Sequence, residues 1–153
     1  MTPLINAANC LRNIRRRMLF GEFSREPLRL LRLEWKSDSV ECDWMMRPPD
    51  KWDSDLPAYL VEEHQTLQAL RDAMGLRNIV FASFSDVDCA ELRMFREDAD
   101  GQPQLMMTGT VRRCDEVLPR VESVAMQAIL CGFHFCLVEG VLKSMNPVSV
   151  GCR

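Results

Sequence analysis

The apolar positions change period along the first third of the chain. Leu4, Ala7, Leu11, Ile14 and Met18 recur every three or four residues. That spacing predicts an amphipathic helix over 3–20, with Pro3 in its first turn and Gly21 as its stop. Arg12, Arg15, Arg16 and Arg17 lie off the stripe. Over 28–36 the pattern turns strand-like, with Leu31, Leu33 and Trp35 on one face. Ser37, Asp38 and Ser39 are turn residues, after which Val40, Cys42, Trp44 and Met46 alternate with Glu41 and Asp43. The two runs predict a hairpin. The segment 47–55 reads as a loop, because its two prolines do not suit a sheet interior.

Asp55 as N-cap and Pro57 in the first turn predict a second helix to about Met74. Leu56, Leu60, Leu67, Leu70 and Met74 form its inner stripe, and Gly75 is its natural end. Residues 78–84 are short and β-rich and read as a strand. From Cys89 to Glu97, Ala90, Leu92 and Met94 face inward against Glu91 and Arg93. A turn at 98–101 then returns the chain through a partner strand over 104–113.

The last third supports two readings. Val117, Val121, Val124, Ala128, Cys131, Phe135, Val138 and Leu142 keep a helical period, which favours one helix from Asp115 to about Lys143. That helix would contain Gly132 and Gly140, each costing about 1 kcal/mol relative to Ala. The competing reading ends the helix at Gly132 and makes 133–138 a strand, since Phe-His-Phe-Cys-Leu-Val is aromatic and partly β-branched. It would make 28–84 and 89–142 two copies of a ββαβ unit, with Leu56-Pro57 and Leu118-Pro119 at corresponding helix starts. The expected fold is α+β: an antiparallel sheet from two hairpins with helices on one face, in the order α-β-β-α-β-β-β-α. This order resembles that of bacterial secretion-chaperone folds, with no motif shared.

Composition adds limits. The chain has 153 residues, 47% hydrophobic and 27% charged, which suits a single globular domain over 1–153 and excludes collagen-like and disordered classes. The net charge of −3 hides an asymmetry: residues 1–35 carry seven Arg and three Glu, and the remainder is net acidic. A basic leading segment on an acidic body points to an anionic partner or to a solvated helix face. Seven cysteines at irregular spacing, without CxxC, argue against a disulfide scaffold. With no signal-peptide pattern at the start, the expectation is a cytoplasmic protein with reduced, mostly buried cysteines. The apolar run 124–138 is too short and interrupted to span a bilayer.

Candidate chemistry is sparse. Cys131, His134 and Cys136 cluster in sequence but fit no zinc spacing, so neither metal nor cofactor is expected. His64 lacks an HExxH context, and no nucleophile elbow or phosphate loop occurs. Trp52 and Tyr59, beside Trp44 and the acidic Pro-Pro loop, could form a recognition surface. Thr110 and Arg112, with His134, could line a polar ligand face. Arg15 and Arg16 could meet an acidic partner, while the acidic domain argues against nucleic acid. Phe133 and Leu137 belong to an apolar element that something must cover. With ten Met and no catalytic signature, the chain reads as a non-catalytic protein-binding module, adaptor or chaperone-like, acting as a homodimer. The alternative is a small-molecule-binding or enzymatic domain with a pocket between sheet and helices.

Overall fold

The structure, a computed structural model, describes residues 3–114 and 121–145. The helix start expected over 115–119, and Cys152, lie outside the described residues. The elements run α1 (Pro3–Arg17), β1 (Arg29–Trp35), β2 (Ser39–Met45), a 3-10 turn (Lys51–Asp55), α2 (Ala58–Ser83), β3 (Cys89–Glu97), β4 (Pro103–Arg112), α3 (Val124–Leu130), β5 (Phe133–Val138) and β6 (Val141–Lys143). The six strands lie in sequence order in the sheet, and the class is α+β.

Both expected hairpins form. Val40, Cys42 and Trp44 on β2 and Ala90, Leu92 and Met94 on β3 turn into one core, as their alternation predicts. The sheet is mixed rather than antiparallel, because β2 pairs parallel with β3. The cause is the length of α2. Its 26 residues span about 39 Å at 1.5 Å per residue, enough to carry the chain back across the sheet to the end where β2 began.

Gly75 therefore does not end α2, and residues 78–84 are its last turns, not a strand. Gly75 lies where α1 crosses: a Cβ there would stand 3.3 Å from the Met18 methyl carbon. Ile79, Val80 and Phe81 are buried on the helix, which is covered on more than one side. Such a segment is apolar without a clean period, and that is why it resembled a buried strand. The start of α2 also differs. Pro57 occupies the N-cap, and Asp55 belongs to the preceding 3-10 turn.

In the last third the strand reading holds. α3 stops at Leu130, Gly132 adopts a φ of +106°, and β5 pairs antiparallel with β4. A Cβ on Gly132 would lie 2.6 Å from the Thr110 carbonyl oxygen, so the close approach of β5 to β4 needs glycine here. The long helix fails for that reason. Glu139 and Gly140, both at positive φ, make the tight turn into β6. The duplicated ββαβ unit also fails. The first segment has no strand at 78–84, and β4 to β5 is antiparallel where β2 to β3 is parallel.

β1 carries one irregularity. Its register with β2 shifts between Leu30 and Arg32, leaving Leu31 as an extra residue. Leu30 and Leu33 then both pack against the core, whereas Leu31 and Trp35 are exposed, contrary to the simple alternation.

Candidate interaction surfaces

The helix α1 buries Asn6, Ala7, Cys10 and Ile14, and Met18 just after it is also buried. Leu4 and Leu11, which share the predicted inner stripe, remain 68% and 42% exposed. The apolar arc of α1 is thus wider than the surface that α2 and the sheet cover. Alongside it runs β1, an edge strand paired among the described residues only with β2. Leu11, Ile14 and Arg15 from the helix and residues 28–33 from the strand enclose a groove of about 500 Å³. Arg15 and Arg29 in its lining are exposed, as are Arg12, Arg16 and Arg17 elsewhere on α1. Among the described residues, none of these five has a carboxylate at ion-pair distance. Arg12 donates only to the Asn9 side-chain oxygen, at 3.1 Å.

A second apolar surface lies on α3, where Met126, Ile129 and Leu130 are about half exposed, as is Val138 at the end of β5. The helix has no charged residue. Phe133, expected to meet a partner, is instead fully inside the core, because the β5 alternation turns Phe133 and Phe135 inward. Leu137 is half-buried against that core.

Trp52 and Tyr59 stand out to solvent, on the 3-10 turn and the first turn of α2. The Asp50 carboxylate accepts the Trp52 backbone N–H at 3.1 Å, and the Arg25 guanidinium lies 5.7 Å from the Trp52 ring centre. Trp44 is not part of this surface; it is wholly buried on β2. His64 is half-buried, 3.7 Å from an Asp53 carboxylate oxygen and stacked near Phe23.

The sheet face away from the helices carries a row of polar residues. Arg32, Asp43, Arg93, Thr108 and His134 are successive cross-strand partners. Asp43 accepts from Arg32 Nε at 3.1 Å and from Arg93 Nε and Nη2, both at 3.0 Å. The Asp43 hydrogen bond raises the Arg32 pKa, and the Lys36 ammonium holds the Glu41 carboxyl below its usual range. Thr110 stands opposite Glu91 and Arg112 opposite Cys89, so Thr110, Arg112 and His134 share a face, with Arg112 at its far end. Arg112, with Cys89 and Arg113, also lines a cleft of about 490 Å³.

Cys131 is buried at the end of α3, whereas His134 is exposed on β5, so the sequence cluster separates in space. Among the described residues no group of three His, Cys, Asp or Glu is placed to hold a metal ion. Cys136 is disulfide-bonded, so the expectation of reduced thiols fails at that position. Burial pushes the Cys10 thiol up to about 11 and Cys42 further in the same direction, which leaves both poor nucleophiles at neutral pH.

A cleft of about 630 Å³ lies at the end of the sheet. Leu28, Met45, Met46, Pro48 and Pro49 line it with Arg29 and Arg96. No helix among the described residues is long and apolar enough to cross a membrane. Comparison with protein-family models, curated proteins and solved structures finds no match for the chain.

Sequence reasoning located Arg15, Trp52 and Tyr59 on the surface and an apolar C-terminal element, of which Leu130 is exposed, but missed the groove. The signal available for the groove was the width of the α1 stripe. The Leu31 irregularity does have a counterpart in the pattern, the adjacent Leu30 and Leu31 that break the alternation.

Proposed function

We propose that the chain is a non-catalytic protein-binding module, adaptor- or chaperone-like, that works as a homodimer. The observation that carries this reading is the exposure of Leu4 and Leu11 on the apolar stripe of α1, beside an open strand edge. An apolar helix face at this period belongs against another surface. The α3 patch supports self-association, because an uncharged apolar face meets its own copy without repulsion between like charges.

Sedimentation equilibrium tests the dimer. A mass of two chains is expected, and Ile129→Glu with Leu130→Glu should return it to one. A wild-type mass of one chain at every concentration would remove self-association from this proposal. The cleft of about 630 Å³ favours a second reading, small-molecule binding, since its volume is in the usual range for ligand sites. A thermal-shift screen that finds a ligand sensitive to Met45→Trp would favour that reading instead.

A further inference from the structure

We infer that the groove between α1 and β1 takes an extended, acidic segment of a partner protein, which adds as a strand to the free edge of β1. The inference rests on the protein-binding reading and names the partner chemistry for one surface.

Three features converge there. The first is the backbone: among the described residues β1 is an edge strand that pairs with β2 alone, and its outward N–H and C=O groups meet no other strand there. The second is apolar: Leu11, Ile14, Leu28 and Leu31 line the groove, and a strand laid along it offers every second side chain to them. The third is charge. Arg15 and Arg29 belong to the lining, both exposed and both without a carboxylate partner among the described residues.

The charge selects the occupant. A second copy of this chain would bring the same arginines to the groove and place like charges opposite one another, which is destabilising. The neutral α3 face is free of that conflict, so the two surfaces divide the roles: α3 for the second copy, α1–β1 for an acidic partner. The extra residue at Leu31 interrupts β1 and limits regular pairing to the stretches on either side of it. A short segment therefore fits better than a long strand, which also protects the edge from indiscriminate pairing.

The test uses the full chain and a fluorescein-labelled peptide that alternates glutamate with valine, read by fluorescence anisotropy. Binding is expected, weakening with added salt, and a lysine–valine peptide should not bind. Arg15→Glu with Arg29→Glu, both exposed, should lower affinity at least about tenfold while leaving the melting temperature in place. Backbone N-methylation on alternate peptide residues separates strand addition from plain charge attraction. One alternation parity should abolish binding and the other should preserve it, because a strand pairs along only one of its edges. Equal binding by both N-methylated peptides, or an unchanged affinity in the double variant, would overturn the inference. Adhesion of the protein to vesicles of phosphatidylglycerol and phosphatidylcholine without any binding of the acidic peptide would also overturn it, in favour of a lipid surface. Sedimentation of the wild type tests the α3 dimer separately, so a failure here leaves that part of the reading standing.

Discussion

Arg47 Nε and an Asp72 carboxylate oxygen meet at 2.8 Å, with both side chains almost completely out of solvent. The pair joins the loop after β2 to the middle of α2. Arg47 also donates to the Met18 carbonyl at 2.8 Å and to the Glu26 carbonyl at 3.0 Å. Gln68 completes the junction: its Nε2 donates to Asp72 at 2.8 Å, and its Oε1 accepts the Phe23 N–H at 2.6 Å. The irregular chain between α1 and β1 is thus anchored by Arg47 and Gln68, with Ser24 donating to the Pro48 carbonyl and Glu22 paired with Arg71.

Breaking this junction from one side should be costly. Arg47→Met leaves Asp72 as a buried carboxylate without its cation and strands two carbonyls, with an expected loss of about 3–5 kcal/mol. Adding Asp72→Leu should restore part of that loss, because the buried charge is then gone. Urea midpoints of the single and double variants check this; a double variant less stable than Arg47→Met would contradict it.

The same carboxyl predicts a pH dependence. Burial pushes Asp72 up to about 6 from its usual 3.8, and Arg47 and Gln68 offset only part of that. A raised folded-state value means that the native protein binds this proton more tightly than the unfolded chain. The favourable contribution is complete below the unfolded value and is lost as pH rises through about 6. Acidification from pH 7 to pH 4 should therefore stabilise the wild type relative to Asp72→Asn, by on the order of 2–3 kcal/mol. Parallel melting curves of the two proteins across that range measure the difference.

Gly132 should resist substitution. Gly132→Ala places a Cβ 2.6 Å from the Thr110 carbonyl oxygen in a left-handed conformation, at an expected cost of about 2 kcal/mol or more. Hydrogen exchange should show the lost protection concentrated in β5 and β6. A uniform change over the whole sheet would contradict this account.

Trp44 offers an unusual core substitution. It is fully buried, yet its indole N–H has no hydrogen-bond partner in the structure. An orphaned buried donor costs about 1–3 kcal/mol, so Trp44→Phe recovers part of what its smaller ring loses. The expected net change is under about 1.5 kcal/mol, against about 3–5 kcal/mol for Trp44→Ala. Guanidinium unfolding of both variants checks the contrast.

Local periodicity determined a good part of this protein. The α1 helix, the β1–β2 and β3–β4 hairpins, the inward residues Val40, Cys42, Trp44, Ala90, Leu92 and Met94, and the α+β class are all legible in the order of polar and apolar residues. Each depends on which face of a helix or strand a side chain occupies, and the chain encodes that within a few neighbours. Other features depend on what lies across the core. Gly75 lies inside α2 against Met18, just past α1, and Gly132 ends a helical pattern because β5 must lie close to Thr110 of β4. The buried Arg47–Asp72 pair joins residues 25 positions apart, and neither position signals its partner. The candidate surface was decided in the same way. Leu4 and Leu11 read as inner residues, and only the assembled helices and sheet show that the described chain leaves them 68% and 42% exposed. Period reports that a side chain prefers to leave water; which surface receives it is settled by packing between segments far apart in sequence.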